Sequence, residues 1–131
     1  MEKELKNKCE QLKFFTKQLY LELCLLPDIT DDIVQIEIIE AKTILSKTNG
    51  ELHLNLNLRH YDLNFLVNEL IQVGVYLKSI LKLHSSVPEN NTFKIYFLYS
   101  TMANFLEDDK VINASNSIHS SLINSFGFLK G

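Results

Sequence analysis

Hydrophobic and polar positions along the chain repeat with two different periods. From Glu2 to Leu26, Leu5, Leu12, Leu19 and Leu26 recur every seven residues. Cys9, Phe15 and Leu23 stand beside them at helical spacings, while Lys6, Glu10, Lys13 and Lys17 occupy another side. This spacing predicts an amphipathic helix ended by Pro27. Lys8 and Glu22 stand where a strict heptad would place apolar side chains, so the stripe is not a clean coiled-coil seam. The second half of the helix, from Phe14 to Leu26, is the more apolar and is expected to be buried.

Beyond the Pro27 to Asp32 turn, Ile33 to Leu45 is rich in β-branched residues and runs into Lys47-Thr48-Asn49-Gly50. From Glu51 to His60, Leu52, Leu54, Leu56 and Leu58 alternate strictly with His53, Asn55, Asn57 and Arg59. Asn-Gly between two such runs predicts a β-hairpin, because both residues tolerate positive φ. The first strand changes parity near Glu40, where a bulge reconciles its two halves. A competing reading takes Val34, Ile38, Ala41 and Leu45 as a helical stripe.

The stretch from Leu63 to Leu83 is helical by the same test and apolar almost all round. Leu63, Leu66, Leu70, Val73, Leu77 and Ile80 form one stripe; Phe65, Val67, Ile71, Val75 and Leu81 widen it, so the helix requires cover on more than one side. Asp62 is placed to cap it, and Gly74 in its middle costs about 1 kcal/mol relative to Ala. After a loop containing Pro88, Thr92 to Ser100 alternates Phe93, Ile95, Phe97 and Tyr99 against Lys94, Tyr96 and Leu98. That pattern predicts a strand apolar on both faces. Glu107-Asp108-Asp109 marks a turn, Lys110 to Asn113 a short strand, and Ile118, Leu122, Ile123 and Phe126 a closing helix. The fold class expected is therefore α+β in two layers: a long N-terminal helix, an antiparallel hairpin, a central apolar helix, further strands and a C-terminal helix. An all-α bundle is the alternative. No linker or repeat divides residues 1–131, which read as one domain.

Composition narrows the function classes. With 131 residues, 46% of them hydrophobic, the chain can bury a core without staples. A formal charge of −3 and a single guanidinium, Arg59, argue against a nucleic-acid partner. Cys9 and Cys24 lie roughly 22 Å apart along the first helix, beyond disulfide reach. No signal segment and no uncharged span long enough for a bilayer is visible, so a reduced, cytoplasmic protein without membrane insertion is expected. The sequons at Asn90 and Asn113 then read as chance matches.

Catalytic signatures are missing. His53, His60, His84 and His119 share no metal-ligand spacing. Ser117, His119, Ser120 and Ser121 set a base beside nucleophiles without a nucleophile elbow, leaving a hydrolase built on His119 as the enzyme reading. Four glycines build no phosphate-binding loop, and the acidic turn at Glu107 lacks the ligand pattern of a Ca²⁺ loop. No catalytic, cofactor or metal residues are assigned, and a non-enzymatic protein-binding module is the expectation.

In size, acidity and element order the chain resembles the small acidic chaperones of type III secretion. That resemblance implies a cytosolic homodimer with a leading helix, a set of strands, a dimerising helix, a strand pair and a closing helix. It implies that an extended partner segment is held by apolar grooves of the first helix and sheet, at Phe14, Phe15, Leu19, Leu23 and the leucine-rich strand. The dimer or partner helix would be the one bearing Leu63, Leu66, Leu70, Val73, Leu77 and Ile80. A different reading is a phage, viral or toxin-system inhibitor or immunity protein that blocks one target through His53, Asn55, Asn57 and Arg59.

Overall fold

The Asn49-Gly50 pair, expected to turn a hairpin, lies inside a helix. The structure, a computed structural model, describes residues 2–54, 60–81 and 87–126, with the backbone alone at 2, 5, 53–54, 60–63 and 124–126. Five helices make up these residues: α1 (Glu2–Cys24), α2 (Asp32–Leu54), α3 (His60–Ile80), α4 (Glu89–Leu106) and α5 (Asp109–Phe126). No strand occurs among them, so the fold is an all-α bundle and the α+β expectation is corrected.

Three expected strands are helical for identifiable reasons. In α2, Val34, Ile38, Ala41, Leu45, Thr48 and Leu52 recur at intervals of three or four and are all buried. The Asp31 carboxylate starts the helix by accepting from the amides of Ile33 (2.9 Å) and Val34 (3.1 Å). Asn49 carries the helix through the supposed turn, because its Nδ2 donates to the Lys13 carbonyl (2.8 Å) and to Thr16 Oγ1 (3.0 Å) on α1. Residues 55–59 of the second expected strand lie outside the described residues. The run from Thr92 to Ser100 belongs to α4, whose buried residues Thr92, Ile95, Tyr96, Tyr99, Met102, Ala103 and Leu106 follow the helical period. Its strand-like alternation came from Phe93 and Phe97, which stack on each other one turn apart with centroids at 6.0 Å. Lys110 to Asn113 opens α5, where Asp108 accepts from the amides of Lys110 (3.0 Å) and Val111 (3.2 Å).

The helices close a ring of neighbours. α1 packs on α2 and α4, α2 on α1 and α3, α3 on α2 and α5, and α5 on α3 and α4. α1 and α2 run antiparallel, since Lys13 lies beside Asn49 and Tyr20 beside Lys42. Tyr99 of α4 is fully buried and reaches across to α3, where its hydroxyl donates to the Leu70 carbonyl at 2.7 Å. Gly74 makes this possible: a Cβ there would lie 2.8 Å from Tyr99 Cζ and 3.0 Å from Ala114 Cβ. The glycine in the apolar helix thus admits a phenol ring from α4 and a close approach of α5.

The cover that α3 requires comes from its own chain. Leu66, Leu70, Val73, Leu77 and Ile80 are buried, as are Val67 and Leu81, between α2 on one flank and α5 on the other. Phe65 and Val75 stay exposed. Between α4 and α5 the chain turns in two residues: Glu107 takes a left-handed conformation (φ 55°) and its amide donates to the Ala103 carbonyl.

Candidate functional site

The outer seam between α1 and α2 carries a row of surface depressions. Lys13, Lys17 and Tyr20 project from α1 at helical spacings of four and three with Phe14 beside Lys13, and Ser46 and Asn49 from α2 face them. Together with Glu10 they line a groove of about 650 Å³. A second depression, about 410 Å³, continues it past Tyr20 and Ser46 to Ile39, Lys42 and Lys47. A third, about 370 Å³, carries on from Ile39 and Lys42 to Leu26, Pro27 and Asp28. From Glu10 to Cys24 the row follows about 21 Å of α1.

The seam is basic and aromatic in a chain whose acidic residues outnumber its basic ones by 16 to 13. Lys13, Lys17, Lys42 and Lys47 rim it, against Glu10 and Asp28. Glu10 is engaged by Lys13 at 3.2 Å along the helix, a half-exposed pair that contributes little stability. Lys42 Nζ lies 5.7 Å above the Tyr20 ring, close enough for a cation–π contact. Phe14 is 54% exposed although its ring touches Phe15 edge-on at 5.5 Å. The buried Leu45 lines the groove, and Asn49 on its α2 wall is held by Thr16, whose buried hydroxyl donates to the Leu12 carbonyl and accepts from Asn49.

Of the residues expected to form a partner groove, only Phe14 faces outward. Phe15, Leu19 and Leu23 are buried in the core, with Phe15 6.4 Å from the Phe105 ring of α4. The five described residues of the expected dimer stripe, Leu66, Leu70, Val73, Leu77 and Ile80, are likewise covered by the chain's own helices. The side chain of Leu63 lies outside the described residues, as do those of His53, His60 and His84 and the inhibitor face of Asn55, Asn57 and Arg59. Lysine spacing on α1 was the signal for the seam in the sequence; its second wall, α2, was hidden by the strand reading.

His119 is half-buried, its ring 5.8 Å from that of Tyr96. Among the described residues no hydrogen bond joins it to Ser117, Ser120 or Ser121, and at 100° per residue those serines point to other sides of α5. Among the described residues no three His, Cys, Asp or Glu side chains converge on a metal position. Nor is any described helix long and apolar enough to cross a membrane. Cys9 and Cys24 are both free. Burial raises the Cys9 thiol pKa above its ordinary value, and the neighbouring Glu10 carboxylate adds to this.

Comparison with protein-family models, with curated proteins and with solved structures gave no significant match.

Proposed function

We propose that this helical bundle is a non-enzymatic protein-binding module, a small adaptor or chaperone that holds a segment of a partner protein along the α1–α2 seam. One observation supports the reading above all: three depressions share their walls along a single helix pair, with Phe14 exposed and four lysines at the rim. A groove of that length accepts about four turns of an amphipathic helix, the helix-in-groove mode of recognition. Apolar side chains of such a segment would meet Phe14, Tyr20 and Ile39, and its carboxylates would meet Lys17, Lys42 and Lys47. The described residues of the strands on which the likeness to secretion chaperones drew are helical, and the proposal rests on the seam.

Co-purification from the native host with wild-type protein and seam variants tests it. Phe14→Ala and Lys17→Glu, both at exposed positions, are expected to lose the bound partner by roughly tenfold or more, the scale of an interface anchor. Val75→Ala, on the exposed side of α3, is expected to retain it. A partner held equally by all three variants would show that the seam is not the binding site.

A further inference from the structure

A second surface lies on the outward face of α2. Asp32, Ile36, Thr43 and Lys47 recur at helical spacing, are all exposed, and face away from the buried line of Val34, Ile38, Ala41 and Leu45. Ile33, Ile36 and Ile39 are 67%, 59% and 59% exposed within two turns. Isolated exposed apolar residues are ordinary; three isoleucines grouped on one helical face form a patch of the kind that marks contact between proteins. Thr43 directs its hydroxyl to the Ile39 carbonyl of its own helix at 2.8 Å, so it adds no unsatisfied polar group.

The charges on this face point to the occupant. Its N-terminal end is acidic, with Asp32, and its far end is basic, with Lys47, about 22 Å away along the helix. The midpoint between these two residues falls between Ile39 and Glu40. A two-fold axis there, bringing α2 against an antiparallel copy of itself, sets Asp32 of each chain opposite Lys47 of the other. The same axis sets Ile36 opposite Thr43 and gathers both Ile39 side chains at the centre. From these matches we infer that the chain forms a two-fold homodimer through the outward face of α2. Such an interface is isologous, each half of the stripe complementing the other half. Glu40, exposed beside the axis, then faces its own counterpart and opposes the contact. Ile39, Thr43 and Lys47 also line the seam, so a second copy and a seam partner would compete for these three residues.

Sedimentation equilibrium of the full chain at micromolar concentrations tests the inference. The expected mass is twice the 15.1 kDa of one chain. Ile36→Glu is expected to give one-chain mass while helicity by circular dichroism is unchanged. Lys47→Glu is expected to weaken the dimer, Asp32→Lys to weaken it likewise, and the two together to restore it, which a folding defect would not do. Glu40→Gln is expected to tighten it, whereas Phe14→Ala leaves the mass at two chains. A one-chain mass for the wild type, or a dimer that survives Ile36→Glu and ignores the charge exchange, overturns the α2 interface.

Discussion

At the scale of single residues, Gly74 and Tyr99 are best understood as one unit. Alanine is worth about 1 kcal/mol over glycine in a helix, yet the added methyl at 74 would collide with the Tyr99 ring and crowd Ala114. We expect Gly74→Ala to destabilise the protein by about 1–3 kcal/mol, the usual cost of overpacking. Tyr99→Phe, which removes one hydrogen bond to a carbonyl already within the α3 ladder, is expected to cost about 1 kcal/mol. Because the two side chains share one space, the double variant should lose less than the sum, as urea unfolding of all four proteins would show.

The same phenol gives stability a dependence on alkaline pH. Burial raises the Tyr99 pKa above its ordinary value of 10.0, so the folded protein holds this proton more firmly than the unfolded chain does. A raised pKa contributes its stability below the unfolded value and loses it as pH rises beyond. The urea midpoint of the wild type is therefore expected to fall between about pH 9 and about pH 11, and to fall less in Tyr99→Phe.

At the scale of elements, the ends of the helices are more telling than their middles. Asp31 and Asp108 each receive two amides of the following helix, an arrangement whose loss to alanine costs about 1 kcal/mol. The turn between α4 and α5 holds the only non-glycine residue with positive φ among those described, Glu107. Glycine suits that conformation better. Glu107→Gly is expected to raise stability by up to about 1 kcal/mol and Asp108→Ala to lower it by about as much. Thermal unfolding of the two variants would show opposite shifts at adjacent positions. The acidic turn read from Glu107-Asp108-Asp109 thus exists, but its carboxylate at 108 is a structural cap.

At the scale of the whole molecule, the five described helices bury one apolar core between them, and two of the exposed regions that remain among the described residues lie on the α1–α2 pair. One is the basic, aromatic seam; the other is the isoleucine face of α2. Neither supports the core, since Phe14, Ile36 and Lys17 are exposed. Variants at these positions are expected to change stability by no more than about 0.5 kcal/mol, as surface substitutions usually do. Matching unfolding curves would establish that any loss of partner or of dimer reflects the surface alone. Surfaces and core are separable here because the buried and exposed lines of α2 lie on opposite sides of one helix.

Local patterning determined α1 and its end before Pro27, the apolar helix α3 and the second half of α5, because in each the periodic apolar stripe agreed with the local signals. It also determined that α3 needed cover on two sides. Tertiary contacts decided the rest. Ile33 to Leu45 holds both a helical line and three outward isoleucines, and only packing on α1 and α3 selects the former. Asn49-Gly50 is a turn signal by itself, but the Lys13 carbonyl and the Thr16 hydroxyl offer Asn49 partners that a helix alone can reach. The α1 lysines and Phe14 were visible as a helical face, whereas the groove they rim required α2 as its other wall. A stripe of residues belongs to one element, but a groove belongs to the space between two, and that space is set by the fold.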